Sequence, residues 1–350
     1  MRTYVNRRHA AHHGRRELYR GALVPCHEVP DRLDRIEAEL ARRPVGDCVA
    51  PVQPAGMRAA LERVHTPDYL AFLEGAWHTW SDLDPANVHH DILPSVWPGP
   101  GLRRDVAPES FTAQLGRYAL DAGTPLMAGT WEAALGGAAC TVAAARELGS
   151  VHHAFVLTRP PGHHAGAACF GGYCFLNNAA LAAEELRAAG APRVAVLDVD
   201  YHHGNGTQSL FYERDDVLTV SLHGDPRTEY PFYLGYADER GRGAGRGCNL
   251  NLPLPCGTGF GAWSAALDQA VAAVATFRPE ALVVALGVDT FAGDPISGFT
   301  LSSSDFSAIG ARLAALGLPT LLTLEGGYAV DEVGVNVVNV LAAFGGRCGA

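Results

Sequence analysis

The chain has 350 residues, 48% of them hydrophobic, enough to bury a large core in one α/β unit. Its 37 acids against 27 bases give a formal charge of −10, which argues against a nucleic-acid partner or an anionic membrane. No run reaches the roughly 18 apolar residues that a membrane span needs.

The start, Met1 to His9, is basic but leads into no apolar stretch, so a secretory signal is not expected. Eight cysteines (26, 48, 140, 169, 174, 248, 256 and 348) are scattered without a Cys-x-x-Cys pair, which suits reduced thiols in a cytoplasmic protein. From about Trp77 to Gly129 the sequence carries Trp77, Trp80 and Trp97 among many prolines and glycines, with little helical or strand period. Long loops inside compact domains are usually functional or disordered, and the tryptophans with Pro94, Pro98 and Pro100 favour contact. Residues 77–129 are therefore expected to form a protruding arm at a site entrance or a subunit interface.

Trp131–Leu148 follows Thr130 as a candidate N-cap, carries Glu132 in its first turn and reads as a helix. Phe155–Thr158 is the first of five aliphatic runs that break off into polar residues, here Arg159-Pro-Pro-Gly-His163-His164. Ala179–Ala189, between Asn177-Asn178 and Gly190, reads as the next helix. Val194–Val199 then runs into Asp200-Tyr-His202-His203, and Val217–Leu222 into His223. Helix Gly261–Phe277 precedes Leu282–Val288, which ends in Asp289. Helix Asp305–Leu316 precedes Leu321–Leu324, which runs into Glu325-Gly-Gly-Tyr328, and Asp331–Phe344 is helical again.

Short aliphatic runs without polar alternation suit strands buried on both faces, the mark of a parallel sheet covered by helices. The repeated strand-then-helix order makes a doubly wound or arginase-like α/β sandwich the expected architecture, as one domain over residues 1–350. In such sheets ligands bind beyond the carboxyl ends of the strands. The His, Asp and Tyr residues are therefore expected on one edge, and they are the parts that metal-assisted hydrolysis requires.

Within Asp198-Val-Asp200-Tyr-His202-His203-Gly-Asn205, residues 198, 200 and 202 alternate with others and are expected to point the same way as the strand ends. Asp200 and His202 can then bind one cation, with Asp289 arriving from another strand. Three protein ligands and an open position are the pattern of a catalytic zinc site, although Fe2+ or Co2+ accept the same donors. A neutral histidine of the His163-His164 pair can take a proton from water and return it to a departing amine. Asp198 and Asn205, one ionic and one neutral, are expected to give the two histidines different basicities. The other tandem pairs, His12-His13, His89-His90 and His152-His153, are read as structural or surface residues. Tyr328, after a turn-forming Gly326-Gly327, is either a capped core tyrosine or a donor to a developing oxyanion.

Five motifs, in order, resemble those of histone-deacetylase-type amidohydrolases. They are Arg159-Pro-Pro-Gly-His-His-Ala165, Gly171-Gly-Tyr-Cys-Phe-Leu-Asn-Asn178, Leu197-Asp-Val-Asp-Tyr-His-His-Gly-Asn-Gly-Thr-Gln208, Gly287-Val-Asp-Thr-Phe-Ala-Gly-Asp-Pro295 and Glu325-Gly-Gly-Tyr328. Glu17-Leu-Tyr-Arg-Gly-Ala-Leu-Val-Pro25 and Gly129-Thr-Trp-Glu-Ala-Ala134 point within that group to the bacterial acetylpolyamine amidohydrolases. The resemblance implies an arginase/deacetylase-like fold with a central, mainly parallel sheet flanked by helices. It implies Asp200, His202 and Asp289 as zinc ligands, His164 as general base and acid, Tyr328 as oxyanion donor, and His163 with Asp198 as electrostatic support. It further implies a monovalent-cation site, usually potassium, near Asp198, Asp200, His202, Ser221 and Leu222. Tyr173 and Tyr230 match the aromatic walls of a narrow tunnel, with the Gly172 carbonyl accepting the substrate amide N–H.

The implied reaction is hydrolysis of an N-acetyl (or other N-acyl) amide of a small amine by a homodimer, with no nucleic-acid or membrane partner. Two departures bear on the substrate. Tyr230 stands where such proteins commonly have phenylalanine, and Thr112 and Gly123 stand where the polyamine-selective members carry entrance glutamates. Asp105, Glu109 and Asp121 are the acids available to replace them. The alternatives are an acyl-lysine protein or peptide deacetylase, a deacetylase of another small metabolite, and a non-catalytic binder of acyl-amines.

Overall fold

Aliphatic runs with no polar alternation have no face to give to water, and in the computed structural model, which describes residues 1–346, they form the middle of one sheet. The strands are β1 (Arg2–Val5), β2 (Arg16–Tyr19), β3 (Ala22–Pro25), β4 (Asp47–Val49) and β5 (His153–Leu157). They continue as β6 (Val194–Asp198), β7 (Val217–Gly224), β8 (Asn249–Leu254), β9 (Ala281–Leu286) and β10 (Thr320–Leu324). Among the described residues, eight of them form a sheet in the order β4-β1-β5-β10-β9-β6-β7-β8, and every pairing is parallel. The remaining two, β2 and β3, form an antiparallel hairpin.

The helices are α1 (Asp31–Arg42), α2 (Met57–Glu62), α3 (Pro67–Leu83), α4 (Phe111–Tyr118) and α5 (Thr130–Glu147). They continue as α6 (Asn178–Ala188), α7 (Asn205–Phe211), α8 (Phe260–Phe277), α9 (Asp305–Ala314) and α10 (Val330–Gly345). Alternate residues of each central strand enter different cores, Ala154 and Val156 of β5 on one side, Phe155 and Leu157 on the other. Side chains of α3, α5 and α6 close the first core, and those of α1, α8, α9 and α10 close the second. No described helix is long and apolar enough to cross a membrane.

The five expected strands are β5, β6, β7, β9 and β10, each within two residues of its predicted bounds at either end. Three outer strands escaped the aliphatic pattern for identifiable reasons. The terminal strand β4 is three residues of Asp-Cys-Val, and β1 spends one of its four positions on Arg2. In β8, Asn249 and Asn251 are the buried positions and the leucines are half-exposed, the reverse of the usual alternation. Their amides are satisfied by Gln208 and Glu239, so a polar network takes the place of an apolar face.

The 77–129 segment is not aperiodic throughout. Trp77 and Trp80 lie on α3, which starts with Pro67 at its first position and places Tyr69, Leu70, Leu73 and Ala76 inward. The expected start of the arm at Trp77 therefore falls inside this helix. Trp97 lies in an irregular stretch and ties it down by donating to the Ala119 carbonyl at 2.9 Å, while α4 occupies residues 111–118. Seven of the eight cysteines are free thiols, and Cys348 lies outside the described residues.

Trp263 on α8 is fully buried beneath the sheet. Trp263→Ala should cost about 3–5 kcal/mol of stability by opening a cavity there. Chemical denaturation of the variant and its parent measures the difference.

Candidate active site

All the central strands end on the same edge, because parallel register places Asp198 beside Ala285 and Ser221, and Leu324 beside Leu286. Beyond that edge the backbone, rather than the pleat, brings the ligand candidates together. β6 stops at Asp198, and the chain then makes two successive turns in which an aspartate accepts from the N–H two residues ahead. Asp200 N donates to Asp198 Oδ1 at 3.1 Å, and His202 N to Asp200 Oδ1 at 2.9 Å. Asp200, His202 and Asp289 converge, with one donor atom from each lying within 4.8 Å of the others. Asp198 is turned away from this cluster, toward His163.

Each carboxylate of the cluster is aimed by backbone. Gly326 N donates to Asp200 Oδ2 at 2.7 Å, and Tyr201 N to Asp289 Oδ1 at 2.8 Å. A Cβ on Gly326 would lie 2.5 Å from Asp200 Oδ2 and 2.6 Å from Asp289 Oδ2, so that position has no room for a side chain. Burial, reinforced by the charge of Asp200, pushes the Asp289 carboxyl up to about 8. Two buried carboxylates and an imidazole thus present a donor set short of positive charge, which fits a divalent cation.

The two neighbouring histidines differ as their partners do. His163 Nδ1 donates to Asp198 Oδ2 at 2.9 Å. Burial opposes its charge, yet Asp198 and Asp200 outweigh burial and lift it to about 10. His164 Nδ1 faces Asn205 Oδ1 at 2.7 Å, and Asn205 turns its Nδ2 to the His164 carbonyl. That network assigns the His164 proton to Nδ1 and leaves Nε2 as a bare acceptor. Burial, then the positive charges of His163 and His202, drives His164 well below the usual histidine range. A neutral base beside a charged neighbour results.

Tyr328 is held from behind. Its N–H donates to Asp294 at 2.7 Å, and its ring rests 4.6 Å from the guanidinium carbon of Arg32. The fully buried Arg32 also donates to the carbonyls of Gly327 at 2.6 Å and Glu325 at 2.5 Å. Glu28 completes the network, pairing with Arg32 at 2.9 Å and with both Arg159 Nε and Nη2. Neither Arg32 nor Glu28 belongs to the sequence motifs. The available signal was an arginine set among Leu33, Ile36 and Leu40 on the buried face of α1.

The histone deacetylase domain model matches residues 26–344. The chain belongs to the histone deacetylase domain family. It is 50% identical to "Acetylpolyamine amidohydrolase 1" of Pseudomonas aeruginosa over 97% of each chain. It is 45% identical to the acetylpolyamine amidohydrolase of Mycoplana ramosa over 99% of this chain and 100% of that one. The crystal structure of the Burkholderia pseudomallei acetylpolyamine aminohydrolase superposes with a TM-score of 0.92 at 38% identity, covering 99% of this chain and 98% of that one.

In this histone deacetylase family chain, a cavity of about 530 Å3 opens above the ligand cluster. His164, His202 and Tyr328 line it, with Gly172, Tyr173 and Tyr230 along its walls. The Tyr230 ring stands at 89° to His164 with centroids 5.0 Å apart, and its hydroxyl donates to Asp121 at 2.8 Å. The Gly172 carbonyl accepts from the Cys174 thiol at 3.3 Å and retains a second lone pair. Of the three acids considered as replacements for entrance glutamates, Asp121 lines the cavity beside Gly123. Asp105 is exposed and paired with Arg103, and Glu109 and Thr112 are exposed outside the cavity. Ser221 and Leu222 are buried in β7, where Ser221 Oγ pairs with His223 Nδ1 at 2.8 Å.

Gly326→Ala should lower affinity for divalent zinc by at least about tenfold, because the methyl group displaces the Asp200 and Asp289 carboxylates. Competition with a chromophoric chelator measures that affinity directly. Retention of the parent affinity would show that the site tolerates the methyl.

Proposed function

We propose that this chain is a metal-dependent amidohydrolase that removes acetyl groups from small amines, acetylpolyamines being the substrate class. The observation that carries the reading is the convergence of Asp200, His202 and Asp289 within 4.8 Å, beneath a cavity lined by His164 and Tyr328. Relatives named acetylpolyamine amidohydrolase, 45–50% identical over nearly the whole chain, support the substrate class.

Asp200, His202 and Asp289 would hold a divalent ion, which would supply Lewis acidity for attack of water on the substrate carbonyl. His164, neutral and with Nε2 bare, takes the proton from water as it attacks the carbonyl carbon. Tyr328 donates its hydroxyl proton as a hydrogen bond to the oxygen on which negative charge develops. His164 then gives its proton to the amine nitrogen as the carbon–nitrogen bond breaks, leaving the free amine and acetic acid, which ionises to acetate by releasing its proton to water or the amine. His163 stays charged against Asp198 and keeps a second proton off His164. The Gly172 carbonyl accepts the substrate amide N–H and fixes its direction.

The finer assignments follow from the same donors. Two carboxylates and one imidazole suit zinc, with Fe2+ or Co2+ as substitutes. Potassium is assigned to the neighbourhood of Asp198, Asp200, His202, Ser221 and Leu222. A cavity of about 10 Å3 lined by Asp198 and Ser221 of that set, though not by Asp200, His202 or Leu222, lies beside it. His223 Nε2 donates to the Gly235 carbonyl, so its Nδ1 accepts the Ser221 proton. Gln208 Nε2 is committed to Glu239, so His203 Nε2 donates to Gln208 Oε1 and its Nδ1, which has no protein partner, is bare. We assign a homodimer, with the 77–129 arm at the entrance or interface, and a cytoplasmic location. The exposed Leu83, Val96 and Leu102 on that arm support a partner surface.

Zinc-loaded protein assayed against acetylputrescine, acetylspermidine, acetyl-lysine peptides and small acetylated metabolites should show the highest kcat/KM for the acetylpolyamines. Preference for the peptides would replace this reading with an acyl-lysine deacetylase. Because the depressed His164 remains neutral until the pH falls well below 6.5, activity should not decline on the acid side through this group near neutrality. Asn205→Asp places a carboxylate against the His164 Nδ1–H and should move the acid limb of the kcat/KM profile upward by about 1–3 pH units.

A further inference from the structure

We propose that two tyrosine–carboxylate tethers, Tyr173–Glu17 and Tyr230–Asp121, set the bore of the tunnel and restrict it to unbranched acyl-amine chains. The inference rests on the proposed amidohydrolase reading and adds the residues that determine its selectivity. A phenylalanine wall is positioned by packing alone and can tilt to admit a wider guest. A tyrosine whose hydroxyl is anchored to a carboxylate that is itself fixed is held at both ends.

The first tether crosses from the hairpin to the tunnel. Tyr173 donates to Glu17 Oε1 at 2.9 Å, and Glu17 is only 1% exposed. The same carboxylate accepts from His27 Nδ1 at 2.6 Å and from His27 N at 3.3 Å, so it is fixed before the tyrosine meets it. Glu17 lies on β2, and the next residues, Leu18 to Gly21, line the mouth of the cavity. The hairpin is therefore clipped to the wall that it overhangs.

The second tether also controls the first wall. Asp121 Oδ2 accepts from Tyr230 at 2.8 Å and from Gly172 N at 2.7 Å, while Oδ1 accepts from Gly123 N at 2.9 Å. Thr124 Oγ1 accepts from Tyr173 N at 3.0 Å. The segment gripped in this way is strained, since Gly172 and Tyr173 have consecutive positive φ values of 53° and 66°. A tyrosine persists in that conformation when its surroundings over-determine it, and Asp121 and Thr124 supply the constraint. Both rings abut reacting groups, Tyr230 against His164 and Tyr173 at 5.6 Å from Tyr328.

The test uses the full-length, zinc-loaded protein and two substrates, a linear N-acetyl-alkylamine and the same amine methylated on the carbon next to the amide nitrogen. Tyr173→Phe and Tyr230→Phe each remove one oxygen and should reduce the linear-to-branched ratio of kcat/KM by at least about fivefold. Glu17→Met should reproduce the Tyr173→Phe change and add little to it, whereas Glu17→Gln, which keeps an acceptor, should restore most of the ratio. A merely structural role would lower both substrates in parallel. Ratios within twofold of the parent in both phenylalanine variants would overturn the proposal. If the parent hydrolyses neither substrate, the amidohydrolase reading fails, and the dissociation constants of linear and branched alkyl hydroxamates decide the tethers by the same ratio.

Discussion

Asp198, Asp200, Asp289 and Glu325 are buried together at one end of the sheet, and their mutual repulsion is the constraint that the rest of the structure answers. Backbone N–H groups answer part of it. Gly162 and His163 donate to Glu325, Gly326 to Asp200, and Tyr201 to Asp289. His163 answers another part by carrying charge between Asp198 and Asp200. What remains falls on Asp200 and Asp289, the pair that His202 joins to form a ligand set. The unfavourable electrostatics of the apoprotein and the affinity for a divalent ion are thus two descriptions of one arrangement.

A second buried charge system fixes the opposite wall. Glu28 lies between Arg32 and Arg159, and Arg32 reaches on to the backbone of the Glu325–Tyr328 turn and to the tyrosine ring. The position of the proposed oxyanion donor is therefore set by a helix some 300 residues earlier in the chain, with hydrogen bonds at sequence separations of 295 and 293. Charged groups in this setting are stable only as a complete set, so removing one partner exposes the full desolvation of the others. The two networks meet at Glu325, whose side chain serves the His163 loop and whose carbonyl accepts from Arg32.

The central strands and most helices were legible because burial on both faces leaves an uninterrupted aliphatic run, and alanine-rich segments with caps mark what covers it. The outer strands were not, since β4 and β1 are short and β8 buries asparagines instead of leucines. In the candidate site, Asp200, His202 and Asp289 were legible from their place after strand ends, although paired turns rather than strand pleat bring Asp200 and His202 together. Arg32, Glu28 and Glu17 were not. The contacts that give them a role, Arg32 to the Glu325 and Gly327 carbonyls, Glu28 to Arg159 and Glu17 to Tyr173, lie far away in sequence, and until those are known such charged residues look like surface. Tyr230 was legible as a departure, but its partner, Asp121, was only one of three acids on a segment without regular period.

The order of the strands makes the last of them a keystone. β10 lies between β5 and β9, hydrogen-bonded to both, although it is the final strand of the chain. Without residues 320–324 the strand order leaves two separate groups, β4-β1-β5 and β9-β6-β7-β8. The histidine loop then belongs to one half, and all three ligand candidates to the other. β10 joins the two halves and leads directly into the turn that carries Tyr328, so one strand unites the histidine loop, the ligand candidates and the tyrosine.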